Sequence, residues 1–479
     1  IITLFSSTGS TDSLCELLHD PELNPSGIES IKTYTREDCP ECSAGSLPIA
    51  IAGDSFLPET PEPSLKILKR VHQPTWQTKL LNAVGNKNVF RCYYPSTSGD
   101  GVDYPIFCDL SDLCDDESYE KNFELPISRV LSLGVDGIIH LPDNASRLLA
   151  EKALTKYETL STEAPAMLVA NDELDEKLDE LKELKELKKR SLSVVVIASC
   201  VAGGFTLLSV SRSLRNRAEK IAYFVALAVP SSKTIWDQTR SNLDLRNDRK
   251  GKNPVEVVWQ ASLPQLSFGQ ASSWKKEYVW LQAQQEKHQC ETLIQRLELL
   301  ENSGAIRKDG LSQNVFLPSP SGTALQINHN FAFHKKTQDL TQADVFLVIS
   351  SILHDLRDPS HKDGLRQSMN SHVLLDPGNF DRYNDGIVQA AILRSAQSSE
   401  LAYVTHGAAS RSIAGLLERM IRMHSEPEGE ALPEFLLALA TGRMSLAPND
   451  LSQIIDRLKK SCSGNAFISA FLPTLKELM

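Results

Sequence analysis

Apolar positions follow two different rhythms along this chain. Over residues 85–230 they come in short, β-branched runs separated by stretches of helical spacing. The runs predict strands at Val89–Tyr94, Tyr104–Cys108, Gly137–His140, Val194–Ala198 and Ile221–Ala228. Helices are expected at 143–158 and 205–218. Strands alternating with helices imply an α/β unit built on a parallel sheet. Beyond residue 273 the spacing becomes that of amphipathic helices, at 341–356, 385–397, 408–423, 432–441 and 448–460. Before residue 60 the pattern is thinner. A strand, a Ser/Thr/Gly loop and a helix through Leu14, Leu17 and Leu18 come first, then short strands near Ile31 and Ile49–Ile51. The run Pro58 to Pro63 reads as a connector.

Three stretches break these rhythms. Val194 to Val210 is uncharged and flanked by basic residues, so a membrane span has to be considered. It is short for a span, and Gly203-Gly204 divides a β-branched half from a helical half, so strand, turn and helix is the better reading. Asp172 to Arg190 spaces its leucines helically among charged residues and reads as a solvated amphipathic helix. Residues 231–265 look polar and irregular. Their basic cluster Arg246, Arg249, Lys250 and Lys252 is the candidate nucleic-acid contact, although acidic neighbours dilute it.

Composition narrows the function classes. With 479 residues the chain exceeds one hydrophobic core, and with 41% hydrophobic and 23% charged residues it is an ordinary folded protein. A net charge of −11 argues against a whole-surface grip on nucleic acid. Nine scattered cysteines and no secretory signal point to a cytoplasmic protein with free thiols. Cys39-x-x-Cys42 is half a zinc motif without a second half nearby, so no metal is expected. The chain opens directly on an apolar strand at Ile1, and part of the first domain is expected to lie upstream.

Two segments carry the strongest chemical signal. Ile1 to Thr11 and Val194 to Thr206 each run from an apolar strand through small residues into a helix. Such a turn aims backbone N–H groups and a helix dipole at one point, which suits a phosphate. Its residues are Ser7, Thr8, Gly9, Ser10 and Thr11 in the first copy. In the second they are Ala202, Gly203, Gly204 and Thr206. Both copies resemble the phosphoribosyl-pyrophosphate loop of type I phosphoribosyltransferases, in which two acidic residues, two variable ones and a Thr/Gly-rich turn follow an apolar strand. Thr8-Gly9-Ser10-Thr11 carries the match in the first copy. Gly204, Thr206 and the helix after them carry it in the second. The resemblance implies tandem parallel-sheet domains of that type and a phosphate or nucleotide ligand. The acidic pair that would hold the ribose hydroxyls falls on Thr3 and Leu4, then on Ala198 and Ser199, none of them charged. Each lost charged hydrogen bond is worth roughly 1.5–3 kcal/mol, so transferase activity is expected to be weak or absent.

Residues 273–333 hold a further module. Helical Glu291–Ser303, a glycine turn and a hairpin candidate at Asn314–Ile327 resemble the end of a winged-helix domain. Its recognition helix has Arg296 against three glutamates, a poor phosphate reader. The resulting division is 1–84 for the remainder of a first phosphoribosyltransferase-like domain, 85–265 for a second, 266–338 for the winged-helix-like segment and 339–479 for a helical domain. This architecture resembles accessory proteins of bacterial antiphage systems, retrons among them. It implies a binding or effector subunit with protein partners, self-association and nucleic acid being further partners to consider, and no membrane partner. The alternatives are an active ribosyl enzyme, transferase or N-glycosidase, drawing an acid from Asp103, Asp109, Asp115 or Asp116, and a winged-helix regulator.

Overall fold

A computed structural model of the chain describes short pieces before residue 67 (38, 40, 49–52, 55–58 and 64–66) and most of 76–479. Outside the description lie 93–104, 161–165, 184–191, 245–252, 265–270, 306–309, 328–330, 334–338, 359–363, 366–372 and some isolated positions. The first loop (Ser7 to Thr11), the Cys39/Cys42 pair and Arg246, Arg249, Lys250 and Lys252 fall among these undescribed residues.

The chain divides into two compact units between Pro61 and Glu62, inside the proline-rich connector. In the first unit β1 (Ile49–Ala52) pairs antiparallel with β2 (Ser55–Pro58).

The second unit begins with β3 (Ser64–Lys66), α1 (Trp76–Val84), and a hairpin of β4 (Phe90–Cys92) and β5 (Ile106–Cys108). Helices α2 (Asp116–Asn122) and α3 (Glu124–Val130) follow. Then comes the alternating core: β6 (Gly137–His140), α4 (Asn144–Leu160), β7 (Met167–Ala170), β8 (Ser193–Val201), α5 (Phe205–Arg215), β9 (Lys220–Ala228), α6 (Lys233–Asp244) and β10 (Val255–Gln260). These strands form one five-stranded, all-parallel sheet in the order β10-β9-β8-β6-β7. Its two faces explain the unbroken run Val194 to Ala198. Val195 and Ile197 pack with Ala145, Leu149 and Ile127 on one side. Val194, Val196 and Ala198 pack with Leu207, Val210, Leu214 and Trp236 on the other. A sheet buried on both faces needs apolar residues at every position of its central strands.

Val194 to Val210 is thus strand, turn and helix, and among the described residues no helix is long and apolar enough to cross a membrane. Residues 231–265 are not irregular as expected: they hold α6 and the edge strand β10. Both are half-exposed, which thins their apolar signal.

Past the sheet come α7 (Ser273–Gln285) and α8 (Glu291–Ala305). Next are α9 (Gln342–Leu356), β11 (Val373–Leu375), α10 (Gly378–Arg382), α11 (Gly386–Ser395), α12 (Gly407–Arg422), α13 (Leu432–Ala440), α14 (Pro448–Ser461), α15 (Ala466–Ser469) and α16 (Leu472–Glu477). Strand β11 pairs in parallel with β3.

The hairpin expected at Asn314–Ile327 is absent. Leu311 makes an isolated antiparallel bridge to Cys92, and 314–317 runs between helices without a partner strand. Side chains take the place of that strand. Arg296 donates to the carbonyls of Asn314 and Val315, and the Trp274 indole also donates to Val315. The Phe316 and Leu317 amides donate to Gln342 and Glu434. Pro318 and Pro320 further deny a ladder its donors.

Arg296 itself is buried against Glu277 at 2.6 Å. Arg394 bridges Glu277 and Glu434, both at 2.7 Å. The cluster joins α7, α8, α11 and α13. Burial raises the Glu277 carboxyl, but Arg296 and Arg394 outweigh it and hold it below its ordinary range.

Candidate functional site

Chain order across the sheet reverses between β6 and β8, since β7 lies outside β6 on one side and β9 and β10 lie beyond β8 on the other. In open parallel sheets the ends of the strands at such a reversal leave a crevice, the usual ligand position in this class of fold. The second glycine loop, Ala202 to Gly204, sits there, directly after β8.

Ala202 and Gly203 are half-buried, Gly204 is buried, and Phe205 and Thr206 begin α5 exposed. Gly204 has φ of +72°. A Cβ at Gly204 would meet Cγ2 of Thr239 on α6 at 2.8 Å. Glycine is required there twice, for the left-handed conformation and for the close approach. The Gly204 carbonyl accepts from the Leu208 amide and so opens the helix. The first amides of α5 have no partner within the helix and face the loop's end. Phe205 is 82% exposed. No residue from Val201 to Thr206 carries a charge.

Across the reversal, Asp143 precedes α4 and caps it. Its Oδ1 accepts from the Ser146 amide at 2.8 Å and its Oδ2 from the Ser146 hydroxyl at 2.6 Å. Ser199 joins this clasp from β8. Its hydroxyl donates to Asp143 Oδ1 at 2.6 Å, and its amide donates to Ser146 Oγ at 2.8 Å. The clasp continues the seam between β6 and β8 past their last pair, His140 with Ile197. His140 is buried beside it, with Nδ1 2.8 Å from the Leu141 carbonyl.

Ser199 therefore stands where the resemblance calls for an acid, and its hydroxyl is committed to a carboxylate from the neighbouring strand end. Ala198 points away, into the layer under α5 and α6. Asp143 was missed in the sequence because its partner lies 56 residues on. The legible part was local, an aspartate three residues before a serine at a helix start.

No family model, curated protein or solved structure matches this chain.

The other acids are occupied in capping or pairing. Asp109 accepts from the Ser111 amide, and Asp116 pairs with Lys152. Asp115 caps α2 through the Ser118 amide. The hydrogen bond from Lys87, with those from Ser118, pulls the Asp115 carboxyl down to about 2. An acid so strong is ionised near neutral pH and is a poor proton donor. Asp103 lies outside the described residues. Among the described residues no group of three His, Cys, Asp or Glu side chains could hold a metal ion. What the crevice offers is an uncharged cup of backbone amides and hydroxyls beside one carboxylate that is already hydrogen-bonded.

Proposed function

We propose that the chain is a phosphoribosyltransferase-like binding subunit that holds a phosphorylated ligand, such as a nucleotide, at the sheet reversal without transferring a ribosyl group. The observation that carries this reading is the placement of the Ala202-Gly203-Gly204 loop beyond the end of β8, beside the reversal between β6 and β8. Backbone amides at the start of α5 would meet the phosphate, with the Thr206 hydroxyl as an added donor. The uncharged Ala198 and Ser199 leave ribose hydroxyls without a carboxylate pair, which is why binding and not turnover is proposed. A ribosyl enzyme would need an acid, and Asp109, Asp115 and Asp116 are engaged elsewhere. A winged-helix regulator would need basic side chains on α8, and its Arg296 is buried in the cluster with Glu277.

The wider role proposed is that of an effector or accessory subunit in a bacterial antiphage complex, supported by the resemblance of its eroded loops. Recovery of the native protein from its own cells, with bound proteins and nucleic acid identified, tests that role. A protein that emerges without partners would count against it.

The ligand reading is tested by calorimetric titration with 5-phosphoribosyl pyrophosphate, adenosine monophosphate and inorganic phosphate. Saturable binding is expected for the wild type, with no release of pyrophosphate. In Gly203→Asp the added carboxylate should weaken binding at least about tenfold, one charge at close range being worth upward of 1.4 kcal/mol. Unchanged binding in that variant, or no binding in the wild type, overturns the reading.

A further inference from the structure

An open cleft of about 550 Å³ lies in the helical region, built from segments far apart in the chain. Small-molecule sites span roughly 300–1,000 Å³. The start of α8 forms one wall, with Glu291 and Thr292. The turn Pro320 to Gly322 forms a second. The end of α14 and the start of α15 form a third, where Ser461 and Phe467 lie. His424, just past α12, completes the rim. These walls are braced without a ligand. Asn465 donates to the Pro320 carbonyl at 2.7 Å and accepts from the Ile468 amide at 3.0 Å, so one side chain fastens the turn to α15. The turn itself is closed by the Ser319 hydroxyl, 2.8 Å from that of Ser321 and 2.7 Å from that of Thr323.

Charge decides what fits. Among the described residues no lysine or arginine lines the cleft, and Glu291 is its one carboxylate. The Glu291 Oε1 accepts from the Gln295 side-chain amide at 3.0 Å, and among the described residues no cation pairs with this acid. The amino end of α8 carries about half a positive charge, too little to offset a full carboxylate. An anion is therefore disfavoured. Other groups add to the bias. Helix α14 ends at Ser461 with its last carbonyls beyond the helical ladder, and such ends favour cations. The His424 Nδ1 lies 3.0 Å from the Ile421 carbonyl and must donate to it, so in the neutral ring Nε2 keeps a lone pair. Ala466 and Phe467 supply an apolar strip. We propose that the cleft binds a small aliphatic polyamine. Its ammonium groups are taken by the Glu291 carboxylate and His424 Nε2, and its methylene chain lies against Phe467. The site shares no residue with the crevice at β8 and works independently of what that crevice holds.

The test is a calorimetric titration of the whole chain with spermidine at fixed ionic strength. One saturable site is expected on the wild type. Glu291→Gln should weaken it about five- to tenfold, the size of one charge-assisted hydrogen bond partly open to water. Gly464 also lines the cleft, and a Cβ there meets nothing within 4 Å. Gly464→Lys thus brings a competing ammonium into the cleft at little cost to the fold, and should abolish binding with Tm unchanged. Glu298→Gln removes the same charge from α8 outside the cleft and should leave the affinity as it was. That control separates a built site from general attraction to an acidic protein. No saturable binding by the wild type overturns the proposal. So does an equal weakening by Glu291→Gln and Glu298→Gln, or spermidine binding to Gly464→Lys at wild-type strength. If Gly464→Lys folds poorly, the two glutamate variants still decide the matter.

Discussion

Single residues hold this fold in conformations that their side-chain chemistry dictates, and two of them make sharp predictions. Gly204 is the first. Gly204→Ala combines a left-handed backbone with a methyl group against Thr239, and should destabilise by roughly 1–3 kcal/mol. Adding Thr239→Ser removes the contacting Cγ2 and should recover part of that loss but not the backbone strain. Urea unfolding of the single and double variants measures both effects, and equal stability of the two variants would contradict the contact argument. Asp344 is the second. It closes a capping box with Thr341 at the start of α9, accepting the Thr341 amide at 2.7 Å. Burial pushes its carboxyl up to about 7 against the lowering effect of the Thr341 hydrogen bonds, from an ordinary value of 3.8. The native state keeps this proton after the unfolded chain has released it. Its contribution to stability is thus complete below about pH 4 and is lost as pH rises to 7, by at most about 1.4 kcal/mol per pH unit. Asp344→Asn should remove that slope between pH 4 and 7, as read by denaturant unfolding at a series of pH values. An unchanged slope would mean that the carboxyl ionises normally in the fold.

At the scale of elements, the buried Arg/Glu cluster does what a partner strand would otherwise do for residues 314–317. Its members sit on four helices, and Glu277 touches both Arg296 and Arg394. Glu277→Gln would leave the buried Arg296 guanidinium with main-chain carbonyls in place of its carboxylate, and Arg394 with the carboxylate of Glu434. A loss of roughly 3 kcal/mol or more is expected, the usual penalty for breaking a buried pair from one side, checked by thermal and urea unfolding. A loss below about 1 kcal/mol, typical of exposed pairs, would show that water reaches the cluster. The same elements explain what the sequence made legible. The five helices expected between 341 and 460 were placed within about two residues because each carries apolar residues at helical spacing ended by turn residues, whereas the short α10 was not foreseen. Strand β8 announced itself through Val194 to Ile197. Strands β7 and β10 and helix α6 did not, being short or half-exposed. The hairpin at 314–327 was misjudged because Val315 to Leu317 are apolar and buried as a strand would be, while their main chain is bonded by Trp274, Arg296, Gln342 and Glu434, all distant in sequence. The glycine loop was readable from local pattern, whereas the Asp143–Ser199 clasp needed the sheet order.

For the whole molecule, the sheet and the helical region share a continuous apolar core that runs from Leu80 to Leu475. Their internal wiring differs. Strands β6 to β10 find all their ladder partners within 137–260. The ionic cluster does not close until Glu434, which lies 117 residues beyond the Leu317 amide it accepts. On a ribosome this difference becomes a sequence of events. The parallel sheet can pair its strands while the later helices are still being made. Helices α7 and α8 emerge with Glu277 and Arg296 in place, but Arg394 and Glu434 arrive much later. Until then the main chain of 314–317 lacks some of its hydrogen-bond partners and stays open to water. The helical region is a late-closing lock, completed by a glutamate near the end of the chain.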